Sequence, residues 1–136
     1  MSNSPYLLSL TFPLIFLSLF VFSCDNSTES TIHPLVGGWV WIETTNNEVT
    51  EVPSGLENET ITFNEDETLV HTSVTSTGES STLSGTWSTN QNILTLYIHF
   101  EFIIEEYSIS DTTLILTRIE NGITTNRISK FSKISS

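Results

Sequence analysis

The chain has 136 residues, a formal net charge of −12 and one cysteine, Cys24. This length is enough for one domain with a modest core. The acidic balance argues against nucleic acid as a partner, because phosphates need a basic surface, and a single thiol excludes an intramolecular disulfide.

The N-terminal residues resemble a bacterial lipoprotein signal peptide. Residues 7–22 are a run of sixteen without a charge, which is closer to a secretory apolar region than to a membrane-spanning helix. The run ends in Val21-Phe22-Ser23-Cys24, which resembles a lipobox. The resemblance implies cleavage before Cys24 and acylation of its thiol. An uncleaved signal anchor with a buried cysteine, or ordinary cleavage nearby, remains the alternative.

Composition divides the chain into three parts. We predict a signal peptide over residues 1–23, a polar tether over residues 24–33 and a globular domain over residues 34–136. The tether sequence DNSTESTIH has no apolar period and reaches about 30 Å when fully extended. Residues 24–117 contain fifteen acids and no Lys or Arg, whereas all four basic residues lie in residues 118–136.

The globular part predicts β-strands, because Thr, Ile, Val and aromatic residues dominate and no window has helical spacing. The clearest alternation places Leu83, Gly85 and Trp87 on one face of a strand. Asn121-Gly122 is the strongest hairpin signal, since both residues tolerate positive φ. The predicted strands are residues 39–44, 60–64, 68–74, 81–88, 93–98, 100–109, 114–119 and 123–131.

Short connections between eight strands predict an all-β, antiparallel up-and-down barrel. Closure removes both sheet edges and pairs the last strand with the first. The basic residues Arg127 and Lys130 are then expected near acidic strands. One connection, residues 43–59, is long and acidic. It is either a lid or binding loop, or a mobile acidic loop.

Four short motifs lie within residues 35–131: Gly37-Gly38-Trp39, Ile61-Thr62-Phe63, Gly85-Thr86-Trp87 and Leu114-Ile115-Leu116-Thr117. Together they resemble those of the lipocalin-like lipoproteins of Bacteroidetes-type bacteria. The resemblance implies an eight-stranded barrel with Trp39 packed across its closed end, and a long loop flanking the open end. It also implies a basic residue of the last strand, Arg127 or Lys130, over that tryptophan.

The sequence contains no catalytic motif, so we predict a protein that is not an enzyme and has no cofactor. Glu105 and Glu106 are adjacent on a strand and point to opposite faces, so they cannot flank one glycosidic bond. His99 and Glu101 share one strand face, but structural zinc usually takes four ligands. We therefore interpret them as polar residues on a wet face, and predict no metal site.

Two functions remain open. The first is a binding protein held in the bacterial outer membrane by acylated Cys24, with a small cavity near residues 43–59. Its ligand is expected to be compact and apolar, because the predicted interior offers few polar partners, and the acidic loop disfavours anions. The second is a cavity-less module that binds glycan or protein at its surface. The residues predicted to line the interior or a ligand site are Trp39, Trp41, Phe63, Leu83 and Trp87.

Overall fold

The computed structural model describes residues 31–135. The predicted signal peptide, Cys24 and most of the tether lie outside the described residues. In the part of the chain that the structure describes, no helix has the length and apolarity to cross a membrane. The strands are β1 (Gly37–Asn46), β2 (Val49–Glu51), β3 (Asn58–Phe63), β4 (Thr68–Val74), β5 (Ser80–Asn90), β6 (Ile93–Ile98), β7 (Glu101–Ser110), β8 (Thr113–Glu120) and β9 (Ile123–Lys133).

Residues 31–135 form one antiparallel sheet of nine strands in the order β2-β1-β3-β4-β5-β6-β7-β8-β9. β9 also pairs with β1, which closes eight of these strands into a barrel and leaves β2 as an addition to the end of β1. The predicted all-β, eight-stranded up-and-down barrel is confirmed. Inward positions alternate with outward ones along each strand, as the pleat requires.

Two-residue turns explain where most strands end. Asn121 and Gly122 have φ values of 53° and 76°, as the predicted hairpin between β8 and β9 requires. His99 and Phe100 also have positive φ, 51° and 67°, and form the turn between β6 and β7. The prediction that His99 and Glu101 share a strand face is therefore wrong. The residues of this turn lack the Asn-Gly chemistry that marks such a turn in a sequence.

The long connection at residues 43–59 is more ordered than predicted. β1 continues to Asn46, Asn47 and Glu48 turn the chain with φ values of 48° and 71°, and β2 pairs back onto β1. A register shift between Trp41 and Glu43 gives β1 a bulge. The irregular loop is thereby reduced to residues 52–57. It lies at the end of the barrel where β1 stops and β3 starts, which we call the open end.

The opposite end of the barrel is closed by its largest buried side chains. Trp39 is fully buried, and its Nε1 donates a hydrogen bond of 2.8 Å to the carbonyl oxygen of Leu35. Leu35 is itself fully buried. The basic residue over the indole is Lys133, with Nζ 5.3 Å from the ring centroid. The resemblance implied Arg127 or Lys130 in this position, and that implication is wrong.

Gly85 marks a close approach of two strands. A Cβ atom at this position would lie 2.2 Å from the carbonyl oxygen of Tyr97, so the backbone of β6 occupies the space that a side chain needs. The glycine thus permits tight packing of β5 on β6, a known role of glycine in strands.

Residues 31–136 form one compact unit. The closed hydrogen-bond ladder and the buried apolar cluster of the described residues both lie within this unit. Its core is made of Leu35, Trp39, Ile61, Phe63, Leu69, Trp87, Leu94, Leu96, Ile98, Leu114, Leu116 and Phe131. We therefore expect residues 31–136 to fold by themselves.

Candidate ligand-binding cavity

The open half of the barrel contains a cavity of about 390 Å³. This volume falls in the range of small-molecule sites, roughly 300–1,000 Å³. The predicted small cavity near the long loop lies at this end. At the closed end, the buried side chains of Trp39, Phe63 and Trp87 pack in the core.

One part of the cavity wall is apolar, and we call it the chamber. Its residues lie on six strands. Because side chains alternate between the two faces of a strand, all of these residues point into the barrel. Leu96, Ile98, Leu116 and Phe131 are buried members of the core cluster. The chamber is lined by Ile61, Leu83, Leu96, Ile98, Ile103, Leu116 and Phe131.

The rest of the wall is charged or polar, and we call its residues other than His99 and Ser129 the collar: Glu59, His71, Glu101, Glu105, Arg118 and Arg127. The prediction that the interior offers few polar partners is therefore wrong. Glu105 is buried, and its Oε1 accepts a hydrogen bond of 3.2 Å from Nε of Arg118. Among the described residues, no carboxylate lies within ion-pair distance of Arg127.

Burial governs the titration of Glu105. Loss of solvent raises the pKa of this carboxyl above its usual value, and the charge and hydrogen bond of Arg118 lower it in part. The charge of Arg127 acts in the same direction as that of Arg118. Glu105 thus depends on these guanidinium groups to stay ionised inside the barrel.

His71 and Glu59 lie side by side in the collar. Nε2 of His71 is 3.1 Å from Oε1 of Glu59. Nε2 is nevertheless buried with no hydrogen-bond partner among the described residues. Two polar atoms therefore meet at the cavity wall without satisfying each other, which is unusual for a buried nitrogen.

A smaller cleft of about 250 Å³ adjoins the collar under the β1–β2 hairpin. It shares Glu59 and Arg127 with the larger cavity, and Trp41 forms an apolar wall. Nε1 of Trp41 donates a hydrogen bond of 3.0 Å to Oγ1 of Thr44. The remaining lining residues are Asn46, Glu51 and Glu57. The acidic loop thus contributes carboxylates at the mouth of the barrel.

The five predicted interior residues lie in different places. Leu83 lines the larger cavity and Trp41 lines the smaller cleft. Trp39, Phe63 and Trp87 belong to the buried core, where the rings of Phe63 and Trp87 meet edge-on at 5.4 Å. The structure therefore brings only two of them to the candidate site.

Sequence reasoning missed the collar. Its residues are isolated charged or titratable side chains on five different strands, and no local motif connects them. One signal was present in β7, where Ile103, Glu105, Tyr107 and Ile109 occupy alternate positions. That spacing places Glu105 on the same face as three large side chains, so it marks an inward carboxylate.

The charge asymmetry of the chain has a structural counterpart on the barrel wall. Lys130 of β9 forms an ion pair with Glu43 of β1, across the seam that closes the barrel. Arg118 of β8 pairs with Glu105 of β7. The expectation that the basic residues of the last strand lie near acidic strands is thus confirmed for Lys130, whereas Arg127 has no carboxylate within ion-pair distance among the described residues.

An aromatic patch lies on the outside of the barrel, at the β6–β7 hairpin. The rings of Tyr97 and Phe102 are 4.7 Å apart. Phe102 is 72% exposed and Phe100, at the tip of the hairpin, is 85% exposed. Clustered apolar side chains with this exposure mark a candidate contact surface.

Within residues 31–135, no group of three or more His, Cys, Asp or Glu side chains is arranged to hold a metal ion. No protein-family model matches the chain, and no curated protein matches it. The geometry of the cavity is therefore the basis for a functional proposal.

Proposed function

We propose that this protein is a lipid-anchored binding protein of the bacterial outer membrane, whose barrel holds one small ligand. The observation that carries the proposal is the cavity of about 390 Å³ in the open half of the barrel. Its chamber removes apolar surface of a ligand from water, which is the main source of affinity in such sites. The polar collar orients the ligand and gives specificity.

The binding proposal predicts that a bulky side chain in the chamber abolishes binding. Nile red, a neutral apolar fluorophore, is titrated into residues 31–136 and its emission is followed. We expect saturable binding to the parent and at least tenfold weaker binding to Leu83→Trp, because the indole occupies the chamber. Leu83 is half-buried, so the barrel can accept this change at its wall.

Val70→Trp is the matched control for this experiment. Val70 lies on β4, beside β5, but is exposed on the outside of the barrel. The same indole is thus introduced without filling the chamber, and Nile red binding should remain at the parental level. Equal binding to both variants would place the probe outside the cavity and contradict the proposal.

The anchoring proposal rests on Val21-Phe22-Ser23-Cys24, which resembles a lipobox. Acyl chains of a lipoprotein hold it at the membrane, since each buried CH₂ contributes about 0.8 kcal/mol and two or three chains make a stable anchor. The full chain is expressed in a lipoprotein-competent bacterium with labelled palmitate. We expect label in the parent and none in Cys24→Ala. Equal label in both would rule acylation of Cys24 out.

The aromatic patch favours a second function, an interaction module that binds glycan or protein at its surface. Exposed rings such as those of Phe100 and Phe102 can stack on sugar rings or bury apolar area against a partner. The Nile red titration separates the two functions. Absence of saturable binding up to the solubility limit of the probe would favour the surface module.

A further inference from the structure

We propose that the ligand is a compact cationic amphiphile whose ammonium head binds in the collar and whose apolar tail lies in the chamber. This inference rests on the proposed binding function and adds the chemical class of the ligand. Three observations carry it: the order of apolar and charged residues along the strands, the charge balance at the mouth, and the pair formed by His71 and Glu59.

The order of residues along three strands sets the orientation of the ligand. On β3, Glu59 lies nearer the open end than Ile61, and on β8 Arg118 lies nearer the open end than Leu116. On β9, Arg127 likewise lies nearer the open end than Phe131. On β7 the order is reversed, since Glu105 lies deeper than Ile103, but this carboxylate is already paired with Arg118. A ligand that satisfies the order on β3, β8 and β9 enters tail first and leaves its polar head at the mouth.

The charge balance at the mouth selects the sign of the head. The collar has three carboxylates and two guanidinium groups, and Arg118 is already bound to Glu105. Of the remaining charged collar residues, Glu59 and Glu101 are negative and Arg127 alone is positive. The adjoining cleft adds Glu51 and Glu57 to the acidic side. Carboxylates at the rim of a low-dielectric cavity concentrate a negative potential there, which attracts cations and repels anions.

The pair formed by His71 and Glu59 points to a hydrogen-bond donor. Nε2 of His71 is buried without a hydrogen bond, although Oε1 of Glu59 lies 3.1 Å away. With the ring proton on Nδ1, Nε2 and the carboxylate oxygen both present lone pairs to the cavity. An ammonium group carries several N–H donors and can satisfy both atoms together. A carboxylate head has no donor for either.

Three ligands with the same tail test the inference: octylammonium, 1-octanol and octanoate. Each is titrated calorimetrically into residues 31–136 near neutral pH, where alkyl ammonium groups remain charged. We expect octylammonium to bind about tenfold more tightly than 1-octanol, and octanoate to bind most weakly. Equal binding of all three, or tightest binding of octanoate, would overturn the inference and leave the binding function standing. Binding of none would contradict the binding function itself.

Two collar variants and one control test the residues involved. Glu59→Gln should bring the affinity of octylammonium to within about threefold of that of 1-octanol, because the ion pair is lost. Arg127→Gln, at an exposed position, should strengthen octylammonium binding by removing a competing cation. Glu65→Gln changes the net charge equally, but at an exposed turn between β3 and β4 at the closed end, and should leave the ratio unchanged. A drop in the ratio for Glu65→Gln equal to that for Glu59→Gln would overturn the assignment to the collar.

Discussion

Replacing Trp39 with alanine is expected to lower the free energy of unfolding of residues 31–136 by about 3–5 kcal/mol, as for other fully buried large aromatics. The indole is fully buried at the closed end, and the change also removes its hydrogen bond to Leu35 and its contact with the Lys133 ammonium. Urea denaturation monitored by circular dichroism measures this free energy. Variant and parent are compared when their transitions have the same slope.

Trp41→Ala is the matched control for this prediction. It removes the same side chain two residues away on β1, but Trp41 is only partly buried and borders the smaller cleft. We expect a clearly smaller loss of stability, because less apolar surface returns to water and the cleft already contains free space. Equal losses for the two variants would mean that Trp39 does not hold the closed end together.

Replacing Arg118 with leucine is expected to lower the free energy of unfolding by about 3 kcal/mol near neutral pH, toward the lower end for breaking a buried ion pair. The change leaves the carboxylate of Glu105 buried without its bonded cation. Replacing both Glu105 and Arg118 with leucine should recover most of the loss, since no unpaired charge then remains in the barrel. A double variant as unstable as Arg118→Leu would contradict this account.

The loss in Arg118→Leu should depend on pH in a defined direction. Burial raises the pKa of Glu105 in the folded protein, so the folded state binds this proton more tightly than the unfolded state. Stability from this group therefore falls as the pH rises above the usual value of a glutamate, about 4.3, through the folded pKa. Without Arg118 the pKa of Glu105 in the folded protein rises further, so the pH range over which stability is lost extends to higher pH. At acidic pH the difference in free energy of unfolding between Arg118→Leu and the parent should therefore be smaller. Urea denaturation across this pH range measures this difference.

Local chemistry made much of the barrel predictable from the sequence. Alternating residues in β5, with Leu83 and Trp87 on one face, and the Asn121-Gly122 turn both report the conformation of a few neighbouring residues. Short turns between most of the eight predicted strands made a meander the simplest topology. The His99-Phe100 turn is an exception. There the barrel imposes positive φ on two residues whose types do not indicate a turn in the sequence.

The sequence by itself determined the strand content, the closed all-β architecture and the inward face of the best-patterned strands, because each follows from the period of the pleat and from turn chemistry. The collar was decided by tertiary structure alone. Glu59, Glu105 and Arg127 lie far apart in the chain and meet only because β9 closes on β1 and the strands curve around a shared interior. Lys133 reaches Trp39 for the same reason, through a pairing register shifted by the bulge in β1. Such contacts depend on the stagger of a closed sheet, which no stretch of neighbouring residues specifies.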